Sequence, residues 1–151
     1  MSVEATPENR IGHAPDREEI IRVVRLYTDG FGAHRPEMYA EAFHPLARIS
    51  YTNDDGTFHE NLISAAHDGW ANWDIHVSAR IISVIQAGEV ACVVLGFDVD
   101  DDPAQSWLDI HSLLRLDGTW KIMNKTATHG SRADWAGLSA SGQAPTRLSE
   151  D

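Results

Sequence analysis

The 151-residue sequence has one cysteine, Cys92, so no disulfide framework can form within the chain and nothing argues for secretion. Basic residues are scarce: 12 Lys and Arg against 23 Asp and Glu give a formal net charge of −11. Such a surface repels phosphate backbones and disfavours nucleic acid as a partner. No apolar run reaches the roughly 20 residues of a membrane span, so no membrane partner is expected. The first 16 residues are polar and lack the apolar stretch of a signal peptide, which makes the cytoplasm the expected compartment. The eight histidines show no HExxH or comparable spacing, so neither a metal nor a cofactor is expected. The acidic stretch 98–102 lacks the spaced ligands and closing Glu of a calcium loop and reads as a solvated hairpin loop. There is no internal repeat.

What is present suits one domain. A chain of this length buries roughly 68–70% of its unfolded surface, enough for a core without staples. Asp16-Arg17-Glu18-Glu19 reads as a helix start, and Ile20, Val23, Val24, Tyr27 and Phe31 follow at helical spacing. Pro36 opens a second helix with Met38, Tyr39, Ala42 and Phe43 as its apolar residues, and His44-Pro45 stops it. Ile49 and Tyr51 alternate with polar neighbours, Asn53-Asp54-Asp55-Gly56 turns the chain, and a third helix is expected over about 60–73. Four strands follow at about 76–85, 90–99, 106–116 and 120–129, joined by turns short enough to require antiparallel pairing. The expected division is a flexible segment 1–15, a domain 16–129 and a flexible tail 130–151 rich in Gly, Ser and Ala.

This element order resembles the nuclear transport factor 2-like superfamily, which includes ketosteroid isomerase, scytalone dehydratase and the SnoaL-like cyclases. Tyr27-Thr28-Asp29-Gly30, Phe43-His44-Pro45 and the stretch from Gly118-Thr119-Trp120 to Asn124-Lys125 are similar to its putative lumazine-binding group. The resemblance covers residues 17–129 and implies an α+β fold: a curved antiparallel sheet wrapped by three helices around a cone-shaped pocket. It leaves the reaction open, because the fold hosts enzymes, binding proteins and dimerisation modules.

His76 aligns with the catalytic histidine of the dehydratase-like members and is the candidate general base. Its usual aspartate partner falls at Gly32, so Asp29, near one helical turn away, is the candidate orienter. Tyr27 aligns with an oxyanion-hole tyrosine, and Arg80 shares a strand face with His76 and Ser78, suited to an anion. The isomerase's two acidic positions fall at Tyr51 and Ser112, neither a carboxylate, so that mechanism does not carry over. Trp70, Trp73, Phe58 and Met123 are candidate pocket walls, and Asn124, alternating with Trp120 and Ile122, a polar anchor. The bland alternatives are a rim histidine, a surface aspartate and core aromatics with satisfied polar tips. Cys92 alternates with Val90 and Val94 and reads as a buried small hydrophobe. Trp107, Asp109, His111 and Leu113 share a face that is read as the sheet's outer side and a homodimer interface, although Asp109 and His111 could also meet as a dyad. The leading functional expectation is a cofactor-independent lyase or isomerase acting on a small apolar substrate by isomerisation, elimination or cyclisation. The alternatives are a module binding a flat heterocycle, or a dimerisation domain.

Overall fold

The computed structural model describes residues 14–138. Three helices lie on one face of a six-stranded sheet. They are α1 (Arg17–Gly32), α2 (Pro36–Ala42) and α3 (Ile63–Trp70). The strands are β1 (Phe43–Thr52), β2 (Phe58–Leu62), β3 (Val77–Ala87), β4 (Val90–Val99), β5 (Ser106–Leu116) and β6 (Thr119–Gly130). Their order is β2-β1-β6-β5-β4-β3, and every pair is antiparallel except β1 with β6. That parallel pair joins the N-terminal hairpin to the later meander, and nothing local in the sequence announces it. The helix expected over 60–73 is shorter, because residues 60–62 remain in β2.

The apolar stripe of α1 does what its spacing implies: Ile20, Val23, Val24, Tyr27 and Phe31 are all buried against the sheet. Asp16 makes no side-chain cap. Its carboxylate instead accepts hydrogen bonds from the Trp120 indole (3.1 Å), Gln86 (3.2 Å) and Arg115, pinning the helix start to the sheet. At the other end α1 crosses close to its neighbours. A Cβ on Gly30 would sit 2.7 Å from Met38 Cβ, and one on Gly32 would sit 3.0 Å from the Val77 carbonyl.

Two irregularities set which residues face the helices. Ile82 is an extra residue in β3 opposite β4, and Met123 is an extra residue in β6 opposite β5. Before Met123, Trp120 and Ile122 point inward; after it, Lys125, Ala127 and His129 do. Asn124 therefore faces outward, where it accepts a hydrogen bond from Thr126 (3.2 Å), and the inward reading of Asn124 is corrected.

The β5 faces are also the reverse of the expectation. Asp109, His111 and Leu113 are fully buried beneath α1, while Ile110 and Ser112 are exposed on the outer side. A homodimer interface on Trp107, Asp109, His111 and Leu113 is thereby ruled out. Cys92 lies half-buried on the outer face with Val94, not in the core.

The domain runs past the expected boundary at residue 129. Residues Arg132–Trp135 form a 3-10 turn that docks on the outer face of β4 and β5. Trp135 is 7% exposed and its indole donates to Ser106 Oγ at 2.9 Å, while Ser106 Oγ–H donates to Asp98 at 2.7 Å. Gly130 makes this possible, since a Cβ there would collide with the Trp135 ring at 2.5 Å. The flexible reading of 1–15 and 130–151 otherwise concerns residues mostly outside those described. Among the described residues no helix is long and apolar enough to cross a membrane.

Candidate functional site

Between the helices and the concave sheet face lies a cavity of about 810 Å³. That is within the usual range for sites holding small organic molecules. Its apolar wall is aromatic: Tyr27 and Phe31 from α1, Trp70 from α3, Trp73 just beyond it, Phe97 from β4 and Trp107 from β5. Tyr27 stacks on Phe97 (centroids 5.7 Å apart, 29°), Phe31 meets Trp70 and Trp73 edge-on, and Trp107 lies over His129 at 5.0 Å. Ile49 and Tyr51 close the β1 side, where Tyr51 stacks on His59 at 5.0 Å. The β1–β2 turn, Asn53, Asp54 and Asp55, forms part of the polar border together with Gln105 and His129.

Within this wall stands one strongly buried cation. Lys125 is 5% exposed, with its ammonium 3.3 Å from Asp109 Oδ2 and over the rings of Trp70 (5.7 Å) and Tyr27 (5.9 Å). Among the described residues it makes no other hydrogen bond or ion pair, and it borders the cavity, so N–H donors remain for a bound molecule. Behind it the same Asp109 oxygen accepts from His111 Nε2 at 3.4 Å, both side chains being fully buried. Burial pushes the Asp109 carboxyl up, but the Lys125 charge and the bonds from His111 and Lys125 outweigh it, and the group is held below its ordinary value. Burial pushes His111 down more than Asp109 raises it, so the ring is neutral, with Nδ1 left without a partner. Burial, reinforced by the Asp109 charge, raises the Tyr27 phenol well above its ordinary value, so it stays protonated.

A second polar pair stands at the border. His129 Nδ1 lies 3.1 Å from Asp54 Oδ1, while Nε2 is buried and has no hydrogen-bond partner among the described residues.

The residues expected from the sequence divide sharply. Tyr27, Tyr51, Trp70 and Trp73 border the cavity. His76, Asp29, Arg80, Ser112 and Asn124 do not. His76 is exposed beside His34 at the end of α1, with ring centroids 5.5 Å apart. Asp29 lies in a shallow outer groove with Arg25 and Met38, and no hydrogen bond or ion pair joins it to His76. The two form no dyad. Arg80 opposes Gly96 on the outer face, its guanidinium 3.0 Å from where a Gly96 Cβ would stand. Phe58 is 64% exposed and Met123 is the bulge residue, and neither borders the cavity.

Lys125, Asp109, His111, Phe97, Trp107 and His129 were not assigned to the site by sequence reasoning. Counting apolar residues in β5 selects the Leu108, Ile110 and Leu114 face, which is the wrong one. The available signal was the Asp109-x-His111 pair flanked by Trp107 and Leu113, an unusual set for bare solvent.

A sheet curved around helices, with its cavity opening between them, defines a nuclear transport factor 2-like fold. The chain belongs to the family described as "Putative lumazine-binding", whose pattern matches residues 15–127. A search of curated proteins finds no match. Among solved structures, an NTF2-like protein of unknown function from Methylobacillus flagellatus is 26% identical, covering 87% of this chain and 99% of that one, with a TM-score of 0.67. An NTF2-like protein of unknown function from Shewanella baltica is similar at 20% identity, 76% and 93% coverage and a TM-score of 0.69. An uncharacterized protein with a cystatin-like fold from Caulobacter vibrioides is 18% identical, with 82% and 95% coverage and a TM-score of 0.59. The last two likenesses concern the fold alone.

Proposed function

We propose that the cavity binds a flat organic molecule carrying a carbonyl or anionic oxygen, a small aromatic heterocycle being the best match. The observation that carries this reading is the nearly buried Lys125 ammonium in an aromatic wall. The wall supplies ring contact and apolar burial, while the ammonium supplies one directional donor that a ligand without an acceptor cannot use. The family description agrees in chemical class, since lumazine is a flat bicycle with ring carbonyls.

Acid–base chemistry remains as a second reading, and the Asp54–His129 pair favours it. A carboxylate on Nδ1 orients the ring and leaves the Nε2 lone pair free to take a proton, in the manner of a triad. His129 Nε2 would remove a proton from a carbon conjugated through the ring system to a carbonyl at the Lys125 end. The electron pair would move onto the oxygen, be stabilised by Lys125, and return as the proton is delivered elsewhere on the substrate. Lys125 and His129 lie four residues apart in β6, roughly 13 Å along the strand, which fits a molecule of two or three fused rings. This relocates the expected isomerase chemistry from His76 and Asp29 to His129 and Asp54.

Calorimetric titration with lumazine tests the first reading. Trp73→Ala removes one exposed wall and is expected to weaken binding by about 1–3 kcal/mol, the usual range for losing one aromatic stacking partner. Lys125→Met paired with Asp109→Leu removes the anchor without stranding a charge, and should weaken it further. Lumazine and related ring carbonyls failing to bind the wild type would sink the binding reading. Screening enolisable ketones for turnover, with His129→Ala expected to cost about 10²–10⁴-fold, decides the second.

A further inference from the structure

We propose that His34, Asp74 and His76 form a binding site for a divalent transition metal of the zinc class, outside the cavity and independent of what the cavity holds. Their ligand atoms all lie within 4.8 Å of one another. Tetrahedral coordination at zinc distances needs them about 3.3 Å apart, which a small rotation of exposed side chains supplies. Two imidazoles and one carboxylate are a borderline donor set that suits zinc, nickel, copper or cobalt and disfavours calcium or magnesium. Three ligands leave a fourth position for water, the arrangement of an open site.

They come from two segments distant in sequence, His34 after α1 and the Asp74-Ile75-His76 stretch before β3, which is why no spacing motif reveals all three. His34 is fixed by the end of α1: its N–H donates to the Phe31 carbonyl at 3.2 Å, and Arg35 N–H closes onto Gly30 at 2.7 Å. His34 takes a positive φ of 55°, which turns the chain sharply out of the helix. His76 is fixed by its carbonyl, which accepts from Asp100 N–H at 2.9 Å. The backbone thus sets both histidines, while their side chains serve no structural partner. All three residues are exposed, and among the described residues none of their side chains makes a hydrogen bond or ion pair. The rings of His34 and His76 meet only each other, edge to face.

The electrostatic setting favours a cation. The C-terminal end of α1 carries the negative pole of the helix, and its last turn contains no basic residue to offset it. The net charge of −11 adds a general attraction. A bound metal would clamp the end of α1 to the segment entering β3, directly after Trp73 of the cavity wall. It would thereby stabilise the folded chain by mass action.

The test uses the untagged full-length chain, stripped with chelator and titrated with zinc chloride by calorimetry. One zinc per chain is expected, with a rise in melting temperature that chelator reverses. Cobalt in place of zinc should give the visible d–d absorption of a low-symmetry nitrogen and oxygen site. Asp74→Asn, which changes one atom, and His76→Gln should each weaken zinc by at least about tenfold, as even outer partners of a metal site do. His34→Gln combined with His76→Gln should abolish both the heat and the thermal shift, while His44→Gln should leave them intact. Wild type taking up no zinc at millimolar concentration overturns the proposal. So does undiminished zinc binding by the folded double variant, which would place the metal elsewhere.

Discussion

Withdrawing a lysine ammonium from water until it is 5% exposed costs several kcal/mol unless other groups replace the hydration. For Lys125 the replacements are the Asp109 carboxylate and the faces of Tyr27 and Trp70. Changing Lys125 alone would therefore strand Asp109, at about 3–5 kcal/mol. His111 imposes a different constraint. Its folded pKa lies below the ordinary 6.5, so the unfolded chain binds the proton more readily, and stability is complete above pH 6.5 and declines as pH falls below it. His67, also depressed by burial, contributes in the same direction. Asp109 acts lower: its stabilisation is present above pH 3.8 and lost only below that value. Urea denaturation midpoints measured from pH 7.5 to 5 should fall, and His111→Phe, which fills the space beside Tyr27 and Phe43, should flatten the slope. A variant as pH-sensitive as the wild type would assign the slope to other groups.

At the scale of elements, the turn that follows β6 is an integral part of the sheet. Trp135 covers the end of β4 and β5 and supplies the indole that Ser106 accepts, and Arg132 lies 3.5 Å from Asp98 beneath it. Ending the chain after Arg132 should cost about 3 kcal/mol, the order of removing a buried tryptophan. Thermal melts of that truncation should show a drop of many degrees, and an unchanged melting point would mean the docking contributes nothing. The composition of this segment concealed its role, because a single tryptophan among Gly, Ser and Ala has no periodicity to detect. Elsewhere the elements were legible: α1, α2, β4 and β5 stand close to where helical spacing, Pro36, Asp117-Gly118 and alternation put them. Asp117 and Gly118 both adopt the positive φ that a tight hairpin turn requires. What failed was the side each strand presents. One extra residue at Met123 reverses every side chain after it, hiding Lys125 and promoting Asn124 falsely. In β4 both faces are apolar, so neither strand could correct the other. A different limit displaced the candidate site. His76 and Asp29 were placed by alignment to a dyad whose aspartate position is Gly32, packed too closely on Val77 to need a side chain.

For the molecule as a whole, the inversion of β5 moves the question of assembly to the opposite side of the sheet. The outer face carries Val90 (48% exposed) and Ile110 (44%), with Cys92, Val94 and Leu114 half-buried between them. Cross-strand register makes this one patch, since Val94 opposes Ile110, Cys92 opposes Ser112 and Val90 opposes Leu114. A contiguous apolar strip in a chain of net charge −11 is a poor surface to leave in water, and a two-fold axis would set it against its own copy. We propose a homodimer through this strip, in place of the face on which Asp109, His111 and Leu113 are buried. Like charges elsewhere on the two copies repel, so association should strengthen with salt as screening grows. Light scattering at micromolar concentration should give twice the chain mass, and Ile110→Glu, which sets two like charges near the axis, should give a monomer with unchanged far-ultraviolet dichroism. A wild-type monomer at all salt concentrations would leave the strip as bare surface and end the proposal. A dimer that survives Ile110→Glu would move the interface to another face of the molecule.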